Sequence, residues 1–304
     1  MILNRRRFLT ISAAAAGLAA SGARAASTRV WTGVALGARA SIRLDHPEAG
    51  AIAARAAAEI ARLEGIFSLY RADSALSRLN AEARLAAPPA ELLECLTLAG
   101  TVHRASGGAF DPTVQPLWAL WAERASAGVR PEAAELAAAR APGAWGNLRL
   151  EAEEIAMAPG MALTLNGIAQ GYIGDRVAAL LEAEGLTDIL IDTGEHRALG
   201  QMPGGGGWPV RLAQGGSVAL RNRALATSAP LGTVFDSEGR FGHILDPRTG
   251  EPAAPVWRAV SITAPSAALA DALSTAACLM PDRAAIDGMV AQFADARCDS
   301  AVAA

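Results

Sequence analysis

Apolar and polar positions change their period along this chain, and each change marks an element. From Val30 to Leu44 the two classes alternate, as on a strand whose side chains point to opposite faces. With Gly33 and Gly37 inside it, this stretch predicts a strand pair. Pro47 to Ile66 is Ala-rich, with apolar residues recurring at helical spacing and Pro47 suited to the first turn. Helices are also predicted over Ala90–Ser106, stopped by Gly107-Gly108, and over Ile168–Glu184, stopped by Gly185. Another runs over Ser266–Met280, with Ser266 as N-cap, and Pro131–Arg140 is a further helical stretch. Ala162–Leu165 and Ile189–Ile191 predict short strands, and Pro203–Gly207 a loop before Trp208-Pro209-Val210. Helices interrupt most strand groups and hairpins occur, which implies an α+β fold with mixed, largely antiparallel sheets rather than a doubly wound parallel one. There is no repeat at a fixed period and no obvious linker, so one domain is expected over residues 26–304.

The first 25 residues are set apart as a twin-arginine export signal. Arg5-Arg6-Arg7-Phe8-Leu9 precedes a mildly apolar Ala- and Gly-rich stretch from Ile11 to Ala20, and Ala23-Arg24-Ala25 is an A-x-A cleavage site. The expectation is a periplasmic protein without a membrane span in the mature chain. Losing Arg5, Arg6, Arg7 and Arg24 takes the net charge from −3 to −7. So acidic a chain has no electrostatic case for nucleic acid. All 27 basic residues are Arg, which removes Schiff-base chemistry and a phosphate-loop lysine. Cys95, Cys278 and Cys298 lack the paired spacing of a thiolate metal site, and one disulfide among them stays open.

Several short motifs carry candidate chemistry. Asp271 and Thr275 stand four apart and share a helix face, with Ser274 adjacent. Such oxygens suit a hard cation; alternatively Thr275 bonds back to the Asp271 carbonyl and the acid is solvated. Asn166-Gly167-Ile168-Ala169-Gln170-Gly171-Tyr172 opens a helix. Its small residues and free N–H groups would let a phosphate approach, and an ordinary strand-to-helix turn would look the same. Asp111 of Ala109-Phe110-Asp111-Pro112 is an N-cap, a nucleotide contact, or both. His243 titrates near neutrality and is either catalytic or structural. Arg248 either grips phosphate or pairs with Asp246. Tyr70 is one of two tyrosines, in Ser68-Leu69-Tyr70-Arg71. His46, His103 and His196 show no metal spacing.

Together with Gly242–Gly250 and Ala270–Thr275, and in this order, the motifs resemble the ApbE-type FAD:protein FMN transferases from about Trp31 to about Leu279. The resemblance implies transfer of FMN from FAD to a threonine of another protein with Mg2+, AMP leaving. It places Mg2+ at Asp271, Thr275 and the Gly167 carbonyl. FAD would lie among Ala109, Phe110, Asp111, Tyr70 and Leu36, with Leu36 covering the flavin; Glu195 matches an acidic position of the family. Thr164, Asn166 and Gln170 stand where the family usually has Asp, Gly and Lys, so an acid and a base are missing from that edge. The Asn-Gly-Ile-Ala-Gln-Gly-Tyr form resembles the branch associated with nitrous-oxide-reductase maturation. The acceptor would then be a flavoprotein with an FMN-carrying domain, the membrane electron donor to that reductase. The alternatives are hydrolysis of FAD to FMN and AMP, and non-catalytic FAD binding.

Overall fold

The alternation beginning at Val30 folds as a hairpin, β1 (Arg29–Ala35) and β2 (Ala38–Leu44), in the computed structural model, which describes residues 29–304 apart from 45, 213 and 214. The export signal expected over residues 1–25 lies outside the described residues. Leu36 and Gly37 close the hairpin with φ of 47° and 85°, the left-handed pair that a two-residue hairpin turn demands. Leucine rarely adopts that region. Here the Leu36 N–H donates to Glu64 Oε1 at 2.8 Å, which ties the turn to the following helix.

That helix, α1 (Ala49–Phe67), is followed by α2 (Ala75–Glu82), β3 (Arg84–Ala86), α3 (Ala90–Ala105), α4 (Gln115–Ser126) and α5 (Ala133–Arg140). Next come β4 (Arg149–Leu150), β5 (Glu154–Ala156), α6 (Ala169–Ala183), β6 (Ile189–Asp192), β7 (His196–Leu199), β8 (Trp208–Arg211) and β9 (Ser217–Leu220). The chain closes with β10 (Ala224–Ser228), β11 (Trp257–Ala264), α7 (Ala267–Ala277), α8 (Arg283–Val290) and β12 (Arg297–Ala303). Seven strands form one sheet in the order β1-β2-β6-β7-β10-β11-β12, antiparallel at every pairing. β3-β5-β4 and β8-β9 are smaller antiparallel sheets. The fold is α+β, as expected.

β11 is buried along nearly its whole length, flanked by β10 and β12 and covered by α7. α6 packs on α7 and β7, and the apolar side chains of both helices join the main core. Among the described residues no helix is long and apolar enough to cross a membrane.

Two expectations change, and one open point is resolved. Pro47 sits just outside α1, whose first turn begins at Ala49 after Glu48. Ala162–Leu165 joins no sheet. Its backbone is satisfied by the Asn80 side chain, which bonds the Leu163 N–H at 2.7 Å and its carbonyl at 2.8 Å, and by Pro112, whose carbonyl accepts from Thr164 N at 2.8 Å. Cys95, Cys278 and Cys298 are all buried free thiols, so no disulfide forms among them.

Candidate active site

Two helix beginnings meet at the centre of the site. α6 starts after the Asn166–Ile168 turn, and α7 starts after Ser266, whose hydroxyl accepts from Leu269 N at 3.3 Å. They approach closely because α6 carries Gly171 at the crossing. A Cβ there would lie 2.2 Å from the Ala267 carbonyl oxygen. The Gly171 N–H donates to Asp271 Oδ2 at 3.3 Å. A Cβ on Gly167 would lie 3.0 Å from Thr275 Oγ1 and 3.3 Å from Phe110 Cε2, so the turn, the α7 hydroxyl and the aromatic ring are neighbours. Asp271, Ser274, Thr275, Gly167 and Phe110 thus gather as the sequence suggested.

The back-bond expected of Thr275 belongs to its neighbour. The Ser274 hydroxyl donates to the Asp271 carbonyl at 3.0 Å, while Thr275 Oγ1 lies 3.3 Å from Ser228 Oγ. Ser228 also meets Ser274 Oγ at 2.7 Å. Nor is the acid solvated: Asp271 is 4 % exposed. Burial pushes its carboxyl up to about 7, the charge of Asp175 pushes the same way, and the Gly171 N–H pulls back. Burial also holds the Glu195 carboxyl well above its usual range, with Asp271 adding to the effect. Glu195 Oε2 accepts from Thr227 N at 3.2 Å, one residue before Ser228. Gln170 reaches this edge too, because a Cβ on Gly194 would lie 2.7 Å from Gln170 Oε1, and its carbonyl accepts from Thr193 Oγ1 at 2.9 Å.

The other predicted residues are tied to this cluster less directly. Thr164 is tied to Pro112 as described, two residues beyond Phe110. Ala109 is buried. Asp111 caps the turn at Pro112–Val114, accepting from Thr113 N at 2.8 Å, and its carboxylate stands 3.8 Å from His103 Nδ1. A cleft of about 490 Å³ joins Asp111 to Pro247 and Arg248, with His103, Arg104 and Trp145 on its walls. Arg248 pairs with Asp246 through two contacts of 2.8 and 2.7 Å, the second of the two roles open to it. Segment 229–243 leaves β10 at Ser228 and returns His243 to its root, where a Cβ on Gly242 would lie 2.1 Å from the Pro230 carbonyl. His243 Nδ1 stands 3.0 Å from the Thr233 carbonyl, and burial lowers the imidazole pKa. Leu36 and Tyr70 sit at the C-terminal end of α1, which meets α6 through Phe67 against Tyr172 at 5.3 Å between ring centroids. Tyr70 is 75 % exposed, which excludes the half-buried packing usual for a loop tyrosine.

Sequence reasoning missed Ser228, His103 and Asp175. Ser228 is brought to α7 by strand pairing across the sheet, which leaves no local signal. Asp175 did carry one: it stands one turn after Gly171, on the α6 face that meets α7.

A sequence profile of the ApbE family matches residues 36–296. The chain is 33% identical over 267 residues to the FAD:protein FMN transferase of Treponema pallidum, covering 73% of this chain and 72% of that protein. It is 32% identical over 230 residues to the FAD:protein FMN transferase of Vibrio cholerae, covering 70% and 68%. Its fold matches the apo form of the flavinyl transferase ApbE of Pseudomonas stutzeri with a TM-score of 0.76 at 28% identity over 88% of each chain. It matches the ApbE protein of Thermotoga maritima with a TM-score of 0.78 at 27% identity, over 86% of this chain and 90% of that one. Profile, relatives and fold agree over most of its length, and the chain belongs to the ApbE family.

Proposed function

We propose that this protein transfers FMN from FAD to a threonine hydroxyl of a partner protein, with Mg2+ and with release of AMP. Flavin transfer itself rests on the family, whose relatives bear that activity in their names. The observation that carries the rest is the buried Asp271 carboxylate, held by the Gly171 N–H on the α7 face it shares with Thr275, whose hydroxyl stands beside Ser228 and the Gly167 turn.

These residues fit a magnesium ion. Among the described residues no three His, Cys, Asp or Glu side chains gather as a metal cluster, so the donor set is one carboxylate with hydroxyl and carbonyl oxygens. Oxygen donors suit Mg2+, which is commonly held by one or two carboxylates and completes its shell with water and substrate phosphate. A buried carboxylate whose ionised form is disfavoured until a cation arrives points the same way. Asp271, Thr275 and the Gly167 carbonyl would hold the ion, with Ser274 beside them. When bound, it would neutralise charge on the FAD pyrophosphate.

The chain's own residues then have three tasks. Tyr70 offers an exposed ring face to the flavin or adenine and Leu36 a cover, while the buried Phe110 ring backs the Gly167 turn. At the start of α6 the Ala169 and Gly171 N–H groups are taken by the Leu165 carbonyl and Asp271, so phosphate there would meet the Gln170 N–H, the Thr164 and Gln170 side chains carrying no charge. His243 handles the proton. Its Nδ1 faces the Thr233 carbonyl, which can only accept, so Nδ1 bears the hydrogen of the neutral ring, and burial keeps that ring neutral, able to take a proton. The acceptor threonine oxygen bonds to the phosphorus of the FMN half, and its proton passes to the His243 ring. The bond from that phosphorus to the bridging oxygen breaks, and AMP leaves with the oxygen. Positioning and charge neutralisation suffice for this transfer, so no covalent intermediate on the chain is needed.

The twin-arginine signal supports a periplasmic reaction on a flavoprotein with an FMN-carrying domain. In the branch that the Asn166–Tyr172 motif resembles, that partner would be the membrane electron donor to nitrous oxide reductase. Asp271→Ala tests the metal assignment: it should abolish Mg2+-dependent transfer while the far-ultraviolet circular dichroism stays unchanged. Full transfer by the folded variant would remove Asp271 from the site.

A further inference from the structure

Asp175 lies on α6 four residues after Gly171, so the two share the face turned to α7. Its Oδ1 accepts from Ala267 N at 2.8 Å and its Oδ2 from Ala268 N at 2.9 Å. These are the first two N–H groups of α7, which no carbonyl of that helix can reach. The next N–H, of Leu269, is capped by Ser266, and that of Ala270 bonds the Ser266 carbonyl at 3.1 Å. Every donor of the first turn is thus held, two of them by a side chain from another helix. Arg197 of β7 stands behind the carboxylate, its Nε 3.2 Å from Oδ1, a charge contact rather than an aligned hydrogen bond. One turn further along the same contact, Gly171 N–H meets the Asp271 carboxylate. The two carboxylates therefore lock α6 and α7 in register in opposite senses: Asp175 reaches from α6 to the α7 backbone, and Asp271 reaches from α7 to the α6 backbone.

We infer that Asp175 is a positioning residue for metal binding, fixing α7 along its axis and in rotation so that Asp271 and Thr275 face the Gly167 carbonyl. This rests on the metal assignment made above. A bidentate clamp suits the task because both acceptor oxygens are used, one per N–H. An amide in its place has one acceptor oxygen and an NH2 group that faces a donor. It would leave one backbone N–H unpaired and withdraw the negative charge from the helix start. Side chains that orient metal ligands from outside the coordination shell commonly change affinity by about 10–100-fold when altered.

Mn2+ takes the same oxygen donors as Mg2+, and its free ion can be counted by electron paramagnetic resonance. Mn2+ would be titrated into the FAD-loaded wild type, Asp175→Asn, Asp175→Glu and Asp271→Asn. The unfolding midpoint of each variant would be recorded without metal, and FAD affinity by flavin fluorescence. Asp175→Asn should weaken Mn2+ binding by about tenfold or more with FAD affinity unchanged. Asp175→Glu, which keeps both acceptor oxygens, should recover part of the loss. Unchanged Mn2+ affinity in Asp175→Asn, whether or not its midpoint falls, would reduce Asp175 to a stabilising cap and overturn the inference. If Asp175→Asn fails to fold, Asp175→Glu decides alone: a folded Glu variant with wild-type Mn2+ affinity, despite its displaced carboxylate, would overturn it too. Asp271→Asn separates the two assignments. Wild-type Mn2+ binding in that variant would remove the metal site itself, whereas its loss beside unchanged binding in Asp175→Asn would sink only the role of Asp175.

Discussion

Asp271 is held where its charge is unwelcome without a cation. Its carboxyl is pushed up to about 7, against roughly 3.9 in an unfolded chain. A folded-state pKa above the unfolded one contributes stability that is complete below the unfolded value and is lost as pH rises through the folded value. The contribution of Asp271 to metal-free stability, on the order of a few kcal/mol, should therefore be lost between about pH 4 and pH 8. Glu195, raised in the same direction, adds to the slope. Mg2+ should raise the unfolding midpoint more at about pH 8 than at about pH 5, and Asp271→Asn should flatten the metal-free slope. An equal metal-induced shift at both values would show that Asp271 is not the titrating ligand. His243 sits in the opposite regime: burial lowers its pKa and keeps it neutral near pH 7, as a proton acceptor needs. His243→Ala should slow transfer by about 10²–10⁴-fold while the dissociation constant for FAD moves little. Equal losses in rate and affinity would make it a binding residue. Helical periodicity places Asp271 and Thr275 on one face, but it is the resemblance to the family that reads them as metal donors. Ser228 was not legible, because it lies 46 residues from Ser274 and reaches it only after β10 and β11 have paired.

At the scale of elements, the site depends on how closely α6 and α7 approach. Gly171 sets that distance, and its missing side chain is a steric requirement rather than a conformational one. The substitution Gly171→Ala would drive a methyl group against the Ala267 carbonyl, backbone that cannot swing aside. It should cost about 3 kcal/mol or more in stability, or else push α7 away and weaken metal-dependent transfer. Thermal unfolding with an activity assay reads both, and wild-type values in each would show that the helices are free to separate. The sequence exposed these helices through their caps: Ser266 opens α7, and Gly185 follows α6 with φ of 84°. It was misleading at Ala162–Leu165, where alternating burial came from a segment bonded to a side chain and a loop carbonyl instead of a strand. β11 and β12 were not foreseen. β11 is buried on both faces and lacks the alternation that marks a half-exposed strand.

At the scale of the whole molecule, one seven-stranded antiparallel sheet carries segments far apart in sequence to a common edge. The hairpin β1–β2 supplies Leu36, β10 supplies Ser228, and the helices that cover the sheet bring Gly167 to Thr275 and Gly171 to Asp271. The fold class followed from the mixture of helices with short strands, whereas strand order did not, because β2 pairs with β6 across six helices and a separate small sheet. The three cysteines are buried free thiols, which leaves stability to the packed core and the sheet. The chemistry assigned to this assembly is a covalent change in another protein, and that is where it should be read. The mature protein would be mixed with FAD, Mg2+ and a periplasmic fragment bearing the candidate acceptor threonine, and the fragment examined by intact-mass and peptide mass spectrometry. An FMN adduct on that threonine, formed with stoichiometric AMP and abolished by EDTA, is the expected result. Free FMN and AMP with an unmodified fragment, or FAD left intact across a panel of such fragments, would contradict transfer.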